Sequence, residues 1–462
     1  MSKENTWKSY TVEQCAELEQ LCGSYREFLD KGKTERECVK EAVKQAEAAG
    51  YENLENVITS GKKLQPGDKV YSICMNKSVV LFMVGTEPME KGMRILGAHI
   101  DSPRLDLKQN PLYEDNEMAY LDTHYYGGIK KYQWVTIPLA IHGVVVKKDG
   151  TVTEVRIGEE ESDPVFCVTD LLIHLSGEQM DKKAKVVVEG ENLDLLVGSR
   201  PVNMDGEEEK KDAVKAGILQ ILKEKYDMDE EDFLSAELEI VPAGKARDCG
   251  FDRSMVAAYG QDDRVCSYTS LAALLDTEVQ AHTCCCLLVD KEEIGSVGAT
   301  GAQSRFFENA VAELMNCMGQ YSELGLRRCL SSSKMLSSDV SAAFDPLYAS
   351  AFEKKNAAFF GKGLVFNKYT GSAGKSHSND ANAEYLGWIR NVMDRHSVAF
   401  QTAELGRIDV GGGGTIAYIS ALYGMEVVDS GVAVLSMHAP MEITSKADIY
   451  EAKKGYQAFL RG

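Results

Sequence analysis

The sequence predicts an α/β protein in which a β-rich segment interrupts one α/β domain. Strand-like and helix-like segments alternate near both ends of the chain, while β-like segments dominate its middle. In addition, the short apolar run Cys284–Val289 ends at a cluster of charged residues, as strands of open α/β sheets do at ligand sites. We therefore expect a discontinuous α/β domain over residues 1–104 and 244–462, with an inserted β-rich domain over residues 105–243.

The composition is that of a globular protein. Hydrophobic residues make up 44% and charged residues 26% of the 462 positions. The 51 basic and 71 acidic side chains leave a net charge of −20, which disfavours nucleic acid and anionic membranes as partners. The first residues are polar, and no stretch reaches the ~20 apolar residues of a membrane span. The 12 cysteines include no C-x-x-C pair, so we expect reduced thiols and a cytoplasmic protein.

The first part of the α/β domain is predicted to contain two helices, a hairpin and a buried strand. Thr11 is a suitable N-cap for the first helix, and the second is expected over residues 33–49. Strand-like runs at residues 69–74 and 78–85 are separated by a short turn, which predicts a hairpin. The next apolar run, residues 93–99, ends in polar side chains.

The insertion and the second part of the α/β domain follow in order. The elements expected from periodicity and capping are strands at 134–146, 152–157, 184–188, 237–241, 284–289 and 432–437, and helices at 212–225, 267–275, 301–318, 379–395 and 446–459.

Two adjacent glutamates, Glu292 and Glu293, follow the strand at Cys284–Val289. Neighbouring side chains of an extended chain point to opposite sides, so one carboxylate can bind a metal while the other acts as acid or base. An isolated acidic pair is more often a solvated loop, because charged side chains mostly lie in water. The functional interpretation therefore depends on partners elsewhere in the chain.

His99 and Asp101 are the first such partners. They lie two residues apart at the end of a predicted strand, hence on one face. Asp101 is placed to hydrogen-bond the His99 ring and select its tautomer, as carboxylates do for metal-bound imidazoles. A structural histidine with a satisfied ring is the alternative for this pair taken alone.

Further ligand-type residues occur on separate segments. Asp263 precedes a helix, where it can cap the helix or bridge two metal ions. Asp339 and His438 each close an apolar segment, and the glycines at 411–414 predict backbone close to a ligand or, alternatively, a flexible loop. Two histidines and several carboxylates on separate segments suit two zinc or zinc-like ions, the arrangement of aminopeptidase-type hydrolysis.

These segments, in this order, resemble the M18 family of metalloaminopeptidases, the aspartyl aminopeptidase family. The motifs are Gly97-Ala98-His99-Ile100-Asp101-Ser102-Pro103-Arg104-Leu105, Asp263, Asp290-Lys291-Glu292-Glu293-Ile294-Gly295-Ser296, Ser338-Asp339 and Met437-His438. The resemblance implies a three-layer catalytic domain of the co-catalytic zinc-peptidase type with an inserted β-rich dimerisation domain. It also implies two divalent ions per subunit (zinc, with cobalt or manganese as alternatives), peptide substrates and a homo-oligomer, a tetrahedral dodecamer built from dimers.

The resemblance assigns a role to each matching residue. It implies His99 and Asp339 as ligands of one ion, Glu293 and His438 as ligands of the other, and Asp263 as the bridging carboxylate. Glu292 matches the general base and Asp101 the carboxylate that supports His99.

The resemblance also implies substrate contacts, and this sequence departs from the family pattern at one of them. His174 matches a histidine that the insertion delivers to the neighbouring subunit, where it binds the substrate carbonyl; a core histidine of an amphipathic helix is the alternative. Gly413 and Gly414 are expected to line the substrate. Acid-specific members carry a lysine at the position of Asn367, whereas here Lys368 follows one residue later. A shift of one residue turns a strand side chain to the other face, so Lys368 inherits that role only through a bulge.

The sequence thus predicts a dinuclear metalloaminopeptidase that removes the N-terminal residue of peptides. The substitution at Asn367 leaves the preferred N-terminal side chain open among acidic, basic and broader choices. The alternatives are an amidase, deacylase or carboxypeptidase of the same clan, and a non-catalytic shell protein.

Overall fold

The computed structural model describes residues 4–202 and 212–462, which form two compact units. The first unit comprises Met1–Asp101, Ala246–Met437 and Glu442–Gly462, and the second comprises Ser102–Lys245 and His438–Met441. The main unit boundaries lie within a few residues of the predicted domain boundaries. The segment His438–Met441 groups with the second unit, whereas the sequence predicts it in the α/β domain.

The described residues form the following helices and strands. The α-helices are α1 (Val12–Lys31), α2 (Glu35–Ala48), α3 (Leu54–Ser60), α4 (Gly177–Met180), α5 (Ala213–Tyr226), α6 (Gln261–Leu275), α7 (Phe306–Cys317), α8 (Glu323–Ser332), α9 (Ala383–Arg395), α10 (Ala417–Ala421) and α11 (Lys446–Arg461). The strands are β1 (Glu52–Asn53), β2 (Lys69–Cys74), β3 (Ser78–Met83), β4 (Arg94–His99), β5 (Arg104–Asp115), β6 (Met118–Tyr126), β7 (Leu139–Val146), β8 (Val152–Ile157), β9 (Leu195–Gly198), β10 (Ala236–Pro242), β11 (Arg247–Cys249), β12 (Met255–Ala258), β13 (Cys284–Val289), β14 (Lys334–Ser338), β15 (Ser341–Ala342), β16 (Leu364–Asn367), β17 (Phe400–Thr402), β18 (Glu426–Gly431), β19 (Ala433–Leu435) and β20 (Glu442–Ser445).

A nine-stranded mixed sheet forms the centre of the first unit. Its strand order is β1-β2-β3-β13-β4-β14-β18-β16-β17. The central neighbours β13, β4, β14 and β18 are parallel, so their carboxyl ends lie at one edge. Ligand sites of open α/β sheets occur at this edge. A smaller sheet of the same unit has the order β11-β12-β20-β19-β15.

Helices cover both faces of the central sheet, which confirms the predicted three-layer α/β fold. Leu96 and Cys286 face a core that includes residues of α1, α2, α6, α9 and α11. Ile95 and Cys285 face the opposite core, which includes residues of α3, α7, α8 and α10. Alternate residues of each strand enter different cores because side chains alternate across a sheet. The three cysteines at 284–286 are accordingly buried, with free thiols.

The second unit is built on a six-stranded antiparallel sheet of order β8-β7-β10-β5-β6-β9. The strand predicted at 184–188 is wrong. Residues Ala184–Val186 form a single 3-10 turn, in which the Val186 N–H donates to the Lys183 carbonyl at 2.9 Å instead of pairing with a strand.

Two predicted helices begin later than expected. The helix predicted from 301 begins at Phe306, because bridges pair Asp290 with Gly301 and Val297 with Gln303. The helix predicted from 379 begins at Ala383, after Asn382 accepts the N–H of Tyr385 as its N-cap. Among the described residues, no helix has the length and apolarity that a membrane crossing requires.

Candidate metal centre and active site

The candidate ligands of the first unit lie at the carboxyl ends of three neighbouring strands. His99 is the last residue of β4, and Asp339 directly follows β14. Glu292 and Glu293 lie on a short 3-10 turn after β13. β13 and β4 are in register with Val289 opposite His99, so the glutamate turn starts beside the imidazole. Parallel pairing thus brings together residues that are far apart in the sequence.

The His99 ring is the centre of this cluster. The side chain is 2% exposed, and its Nε2 lies 3.3 Å from Asp262 Oδ1, 3.9 Å from Glu292 Oε2 and 4.0 Å from Asp339 Oδ1. His99, Glu292 and Glu293 form one group whose ligand atoms all lie within 4.8 Å of one another, and His99, Asp262 and Asp339 form a second such group. Imidazole nitrogen and carboxylate oxygen are donors that zinc accepts, so this donor set fits the implied metal.

Asp101 connects the histidine to the glutamate turn. His99 Nδ1 lies 3.2 Å from Asp101 Oδ1 and 3.0 Å from the Asp101 carbonyl oxygen, so the predicted contact is present. The two carboxylate oxygens of Asp101 also accept the backbone N–H groups of Glu292 and Glu293, each at 3.1 Å. With its proton on Nδ1, the His99 ring presents the Nε2 lone pair to the cluster. Sequence reasoning missed the contact to the turn, because only the fold brings β13 beside β4.

Helix α6 holds the end of β4 in place. Ser267 Oγ donates to the His99 carbonyl at 2.6 Å. The buried guanidinium of Arg264 donates to the carbonyls of Ile100 at 3.2 Å and Lys33 at 2.9 Å. The contacts to His99 and Ile100 give the backbone carbonyls at the end of β4 donor partners where strand pairing ends.

Asp262, rather than Asp263, lies among the candidate ligands. Within the described residues Asp263 belongs to none of the groups with metal-binding geometry. Both residues have non-helical backbone angles at the start of α6, with ψ of 110° at Asp262 and 28° at Asp263. Of the two carboxylates, that of Asp262 lies beside the imidazole, 3.3 Å from His99 Nε2. The geometry therefore favours Asp262 over the predicted Asp263 as the carboxylate between two ions, and no sequence signal distinguishes the two neighbours.

The cluster concentrates negative charge in a buried place. Burial raises the pKa of Asp339 well above its ordinary value, and the charges of Asp263 and Glu292 raise it further. Burial likewise raises the pKa of Asp263. Burial lowers the pKa of His99, but hydrogen bonds to Asp101 and Asp262 outweigh it, so that the net pKa lies well above its ordinary value. Divalent cations are the usual compensation for several carboxylates at one buried point.

The predicted histidines His174 and His438 lie in the second unit. His438 has its Nδ1 2.8 Å from the carbonyl oxygen of Gly128, which leaves Nε2 as the nitrogen with a lone pair. His174 is exposed on the 3-10 turn Ile173–Leu175, in a segment whose apolar side chains are also exposed, for example 69% for Ile173. The alternative interpretation of His174 as a core histidine of an amphipathic helix is wrong.

The side chains at the position of the predicted substrate lysine, Asn367 and Lys368, contact other residues of this chain. The Lys368 ammonium is exposed and forms an ion pair with Asp380. Asn367 is buried, where its amide accepts from Ser341 Oγ at 2.7 Å and donates to the Ala403 carbonyl at 3.1 Å.

In the glycine segment 411–414, the backbone packs closely against neighbouring loops at Gly411 and Gly412, not at the predicted Gly413 and Gly414. A Cβ on Gly411 would overlap the Leu405 carbonyl, and one on Gly412, which has φ of 122°, would overlap Ser372. In contrast, Gly413 and Gly414 have space for a Cβ.

A buried carboxylate that sequence reasoning missed lies within β18. Asp429 is 2% exposed and accepts a hydrogen bond from Thr415 Oγ1 at 2.5 Å. Burial raises the pKa of Asp429 to about 7, against the opposing effect of the Thr415 hydrogen bond. The sequence signal was an acidic residue inside the apolar run before Gly431.

Comparisons with known proteins agree with this geometry. The family profile described as "Aminopeptidase I zinc metalloprotease (M18)" matches residues 28–460. A probable M18 family aminopeptidase 1 of Clostridium acetobutylicum is 61% identical over 99% of this chain and 97% of its own length.

Two solved structures extend the similarity to the whole fold. The crystal structure of aminopeptidase I from C. acetobutylicum superposes with a TM-score of 0.92 at 59% identity and covers both chains completely. An M18 aminopeptidase structure from Thermotoga maritima gives a TM-score of 0.94 at 43% identity over 100% of this chain and 99% of that one. The chain therefore belongs to the M18 family of zinc metalloproteases and is an aminopeptidase.

Proposed function

We propose that this aminopeptidase holds two divalent ions at the strand ends and uses Glu292 as its general base. The observation that carries the proposal is the convergence of His99, Asp262, Glu292, Glu293 and Asp339, whose ligand atoms form two compact groups. In this assignment, His99 and Asp339 bind one ion and Glu293 binds the other. Asp262 bridges the two ions, in place of the predicted Asp263.

His438 completes the proposed ligand set for the second ion. Its Nδ1 contact with the Gly128 carbonyl supports this role, because such a contact directs the Nε2 lone pair outward. When bound, ions of this kind lower the pKa of water and stabilise negative charge on a carbonyl oxygen.

Glu292 is suited to moving a proton between water and the leaving amine. Its carboxylate is partly exposed, so water and substrate have access to it, and its backbone is fixed by Asp101. Glu292 accepts a proton from water as the oxygen attacks the carbonyl carbon. It then donates that proton to the amine nitrogen as the C–N bond breaks. The neighbouring Glu293, whose ligand atom lies within 4.8 Å of those of His99 and Glu292, serves as a ligand.

His174 is proposed to act in the active site of a neighbouring subunit. His174 lies on a segment whose apolar side chains are exposed in the single chain. This supports the proposal, because exposed apolar patches mark surfaces that are buried against another chain. A solved structure of S. cerevisiae mApe1, 20% identical with a TM-score of 0.75, is described as a dodecamer. We propose the same dimer-based tetrahedral assembly here. The free thiols of the described cysteines support a reducing compartment, the cytoplasm.

A panel of aminoacyl reporters tests the reaction and its side-chain preference together. Peptides with a free α-amine and their N-acetylated counterparts, with N-terminal Asp, Glu, Leu or Lys, are assayed with Zn, Co and Mn. The proposal predicts turnover of free peptides and resistance of the acetylated ones. Cleavage of acetylated peptides at similar rates would instead indicate an amidase or carboxypeptidase of the same clan.

A further inference from the structure

A second buried carboxylate, Glu442, contacts the Asp262 backbone without belonging to the ligand set. Glu442 is the first residue of β20 and is 1% exposed. Its Oε2 accepts the backbone N–H of Asp262 at 2.9 Å. We propose that Glu442 is a positioning residue, which fixes the Asp262 backbone so that the Asp262 carboxylate faces His99 and the metal ions. This inference rests on the proposed role of Asp262 as a ligand.

The N-terminal end of α6 explains why an acceptor is needed at this position. The first N–H groups of a helix have no acceptor within the helix. Gly260 has φ of 70°, and Asp262 and Asp263 have non-helical angles, so the chain turns before the regular part of α6 begins. The Glu442 carboxylate supplies the acceptor for the Asp262 N–H in this turn.

Gln261 attaches the same turn to β20 at further points. Its Nε2 donates to the carbonyls of Glu442 at 2.7 Å and Val256 at 3.1 Å. Its Oε1 accepts from Thr444 Oγ1 at 2.5 Å and from Tyr25 at 3.3 Å. Reorienting Asp262 therefore requires breaking a buried network, and removal of one member leaves other buried polar groups unsatisfied.

The strand pairing places Glu442 where it performs this role. β12 and β20 are antiparallel with Ala258 opposite Glu442. The chain leaves β12 at Ala258 and reaches Asp262 four residues later, so the two partners meet across the end of the strand pair. The backbone contact requires a side chain of glutamate length and an acceptor oxygen, but not a negative charge.

Three substitutions separate these requirements. Glu442→Gln keeps the length and an acceptor oxygen but removes the charge. Glu442→Asp keeps the charge but withdraws the carboxylate from the Asp262 N–H, and Glu442→Ala removes both. The matched control is Glu451→Ala, because Glu451 is equally buried and accepts the N–H of Ala399 at 2.7 Å.

The readouts are the zinc dissociation constants from competition with a chelator, the number of bound ions, and kcat and KM at saturating metal. For Glu442→Asp and Glu442→Ala we expect zinc binding weakened by about 10–100-fold, the usual effect of removing a group that orients a ligand. Glu442→Gln should stay close to wild type, and Glu451→Ala should lower thermal stability without changing the zinc affinity.

Two results overturn the inference: an unchanged zinc affinity in Glu442→Asp, or a zinc affinity in Glu442→Gln that is as weak as in Glu442→Ala, which would show that the charge rather than the contact matters. If Glu442→Ala does not fold, the Asp and Gln variants still decide the question. Failure of wild-type protein to bind zinc would contradict the proposed function instead, so the two failures are distinguishable.

Discussion

Two regions of the first unit contain predicted site residues, and they differ in how the fold uses them. At the strand ends, His99, Glu292 and Asp339 converge around one point. In the loops after β16 and β17, Lys368 is paired with Asp380, Gly411 approaches Leu405 of its own loop, and Gly412 approaches Ser372 of the other loop. A position at the end of a parallel strand determines where a side chain lies, whereas a loop residue finds partners that its sequence neighbours do not reveal.

Removal of metal is the broadest test of the strand-end region. Dialysis against a chelator should abolish turnover, and adding back Zn, Co or Mn should restore it, because the buried carboxylates need compensating cations. The melting temperature should also fall on chelation, since a ligand that binds only the folded state stabilises it. Full activity in protein shown by elemental analysis to be metal-free would contradict the account.

Glu292→Gln tests the proton transfer separately from metal binding. We expect kcat to fall by about 10²–10⁴-fold, the usual contribution of a general base, with metal content and melting temperature unchanged. Single-turnover kinetics, elemental analysis and thermal unfolding measure the three quantities. A variant that keeps near-normal turnover would exclude Glu292 as the base.

His174→Ala tests whether a loop residue acts across subunits. The expected loss is about 10²–10³-fold in kcat for the assembled oligomer, comparable to removing one donor from a developing oxyanion. Sedimentation analysis controls for assembly, and Glu178→Ala, on the adjacent exposed helix α4, is a matched surface substitution. Unchanged kcat in an intact oligomer would show that His174 is a surface residue without a role in catalysis.

Asp262→Asn and Asp263→Asn compare two adjacent carboxylates. Asp262→Asn should weaken binding of at least one ion and reduce activity by at least about 10–100-fold, the loss found even for groups that only orient a metal ligand. Asp263→Asn should retain the full metal complement, because Asp263 is not among the ligand groups. Isothermal titration with zinc distinguishes the variants. The opposite ranking would restore the sequence prediction for Asp263.

Lys368→Ala is expected to have the smallest effect. Exposed ion pairs contribute about 0–1 kcal/mol to stability, so the melting temperature should change little, and kcat/KM for peptides with N-terminal Asp should stay within about twofold. The measurement is a comparison of Asp and Leu reporters. A selective loss with the Asp reporter would assign Lys368 to the substrate pocket after all.

The strand-end residues were predictable because the length and the last residue of an apolar run can be identified in the sequence. His99 and Asp339 close such runs, and Glu292 and Glu293 follow one, so their common location depends only on a parallel sheet. The choice between Asp262 and Asp263 was not predictable, since it depends on backbone angles that tertiary contacts impose. The same holds for Glu442, whose partner is 180 residues away in the sequence.

The most direct measurement of the central claim is a crystal structure with anomalous scattering recorded at the zinc edge. The account predicts two ions per chain, with His99 and Asp339 coordinating one, Glu293 coordinating the other, and the Asp262 carboxylate shared between them. Asp263 should coordinate neither. A single ion, or an ion coordinated by Asp263 with Asp262 turned away, would contradict it.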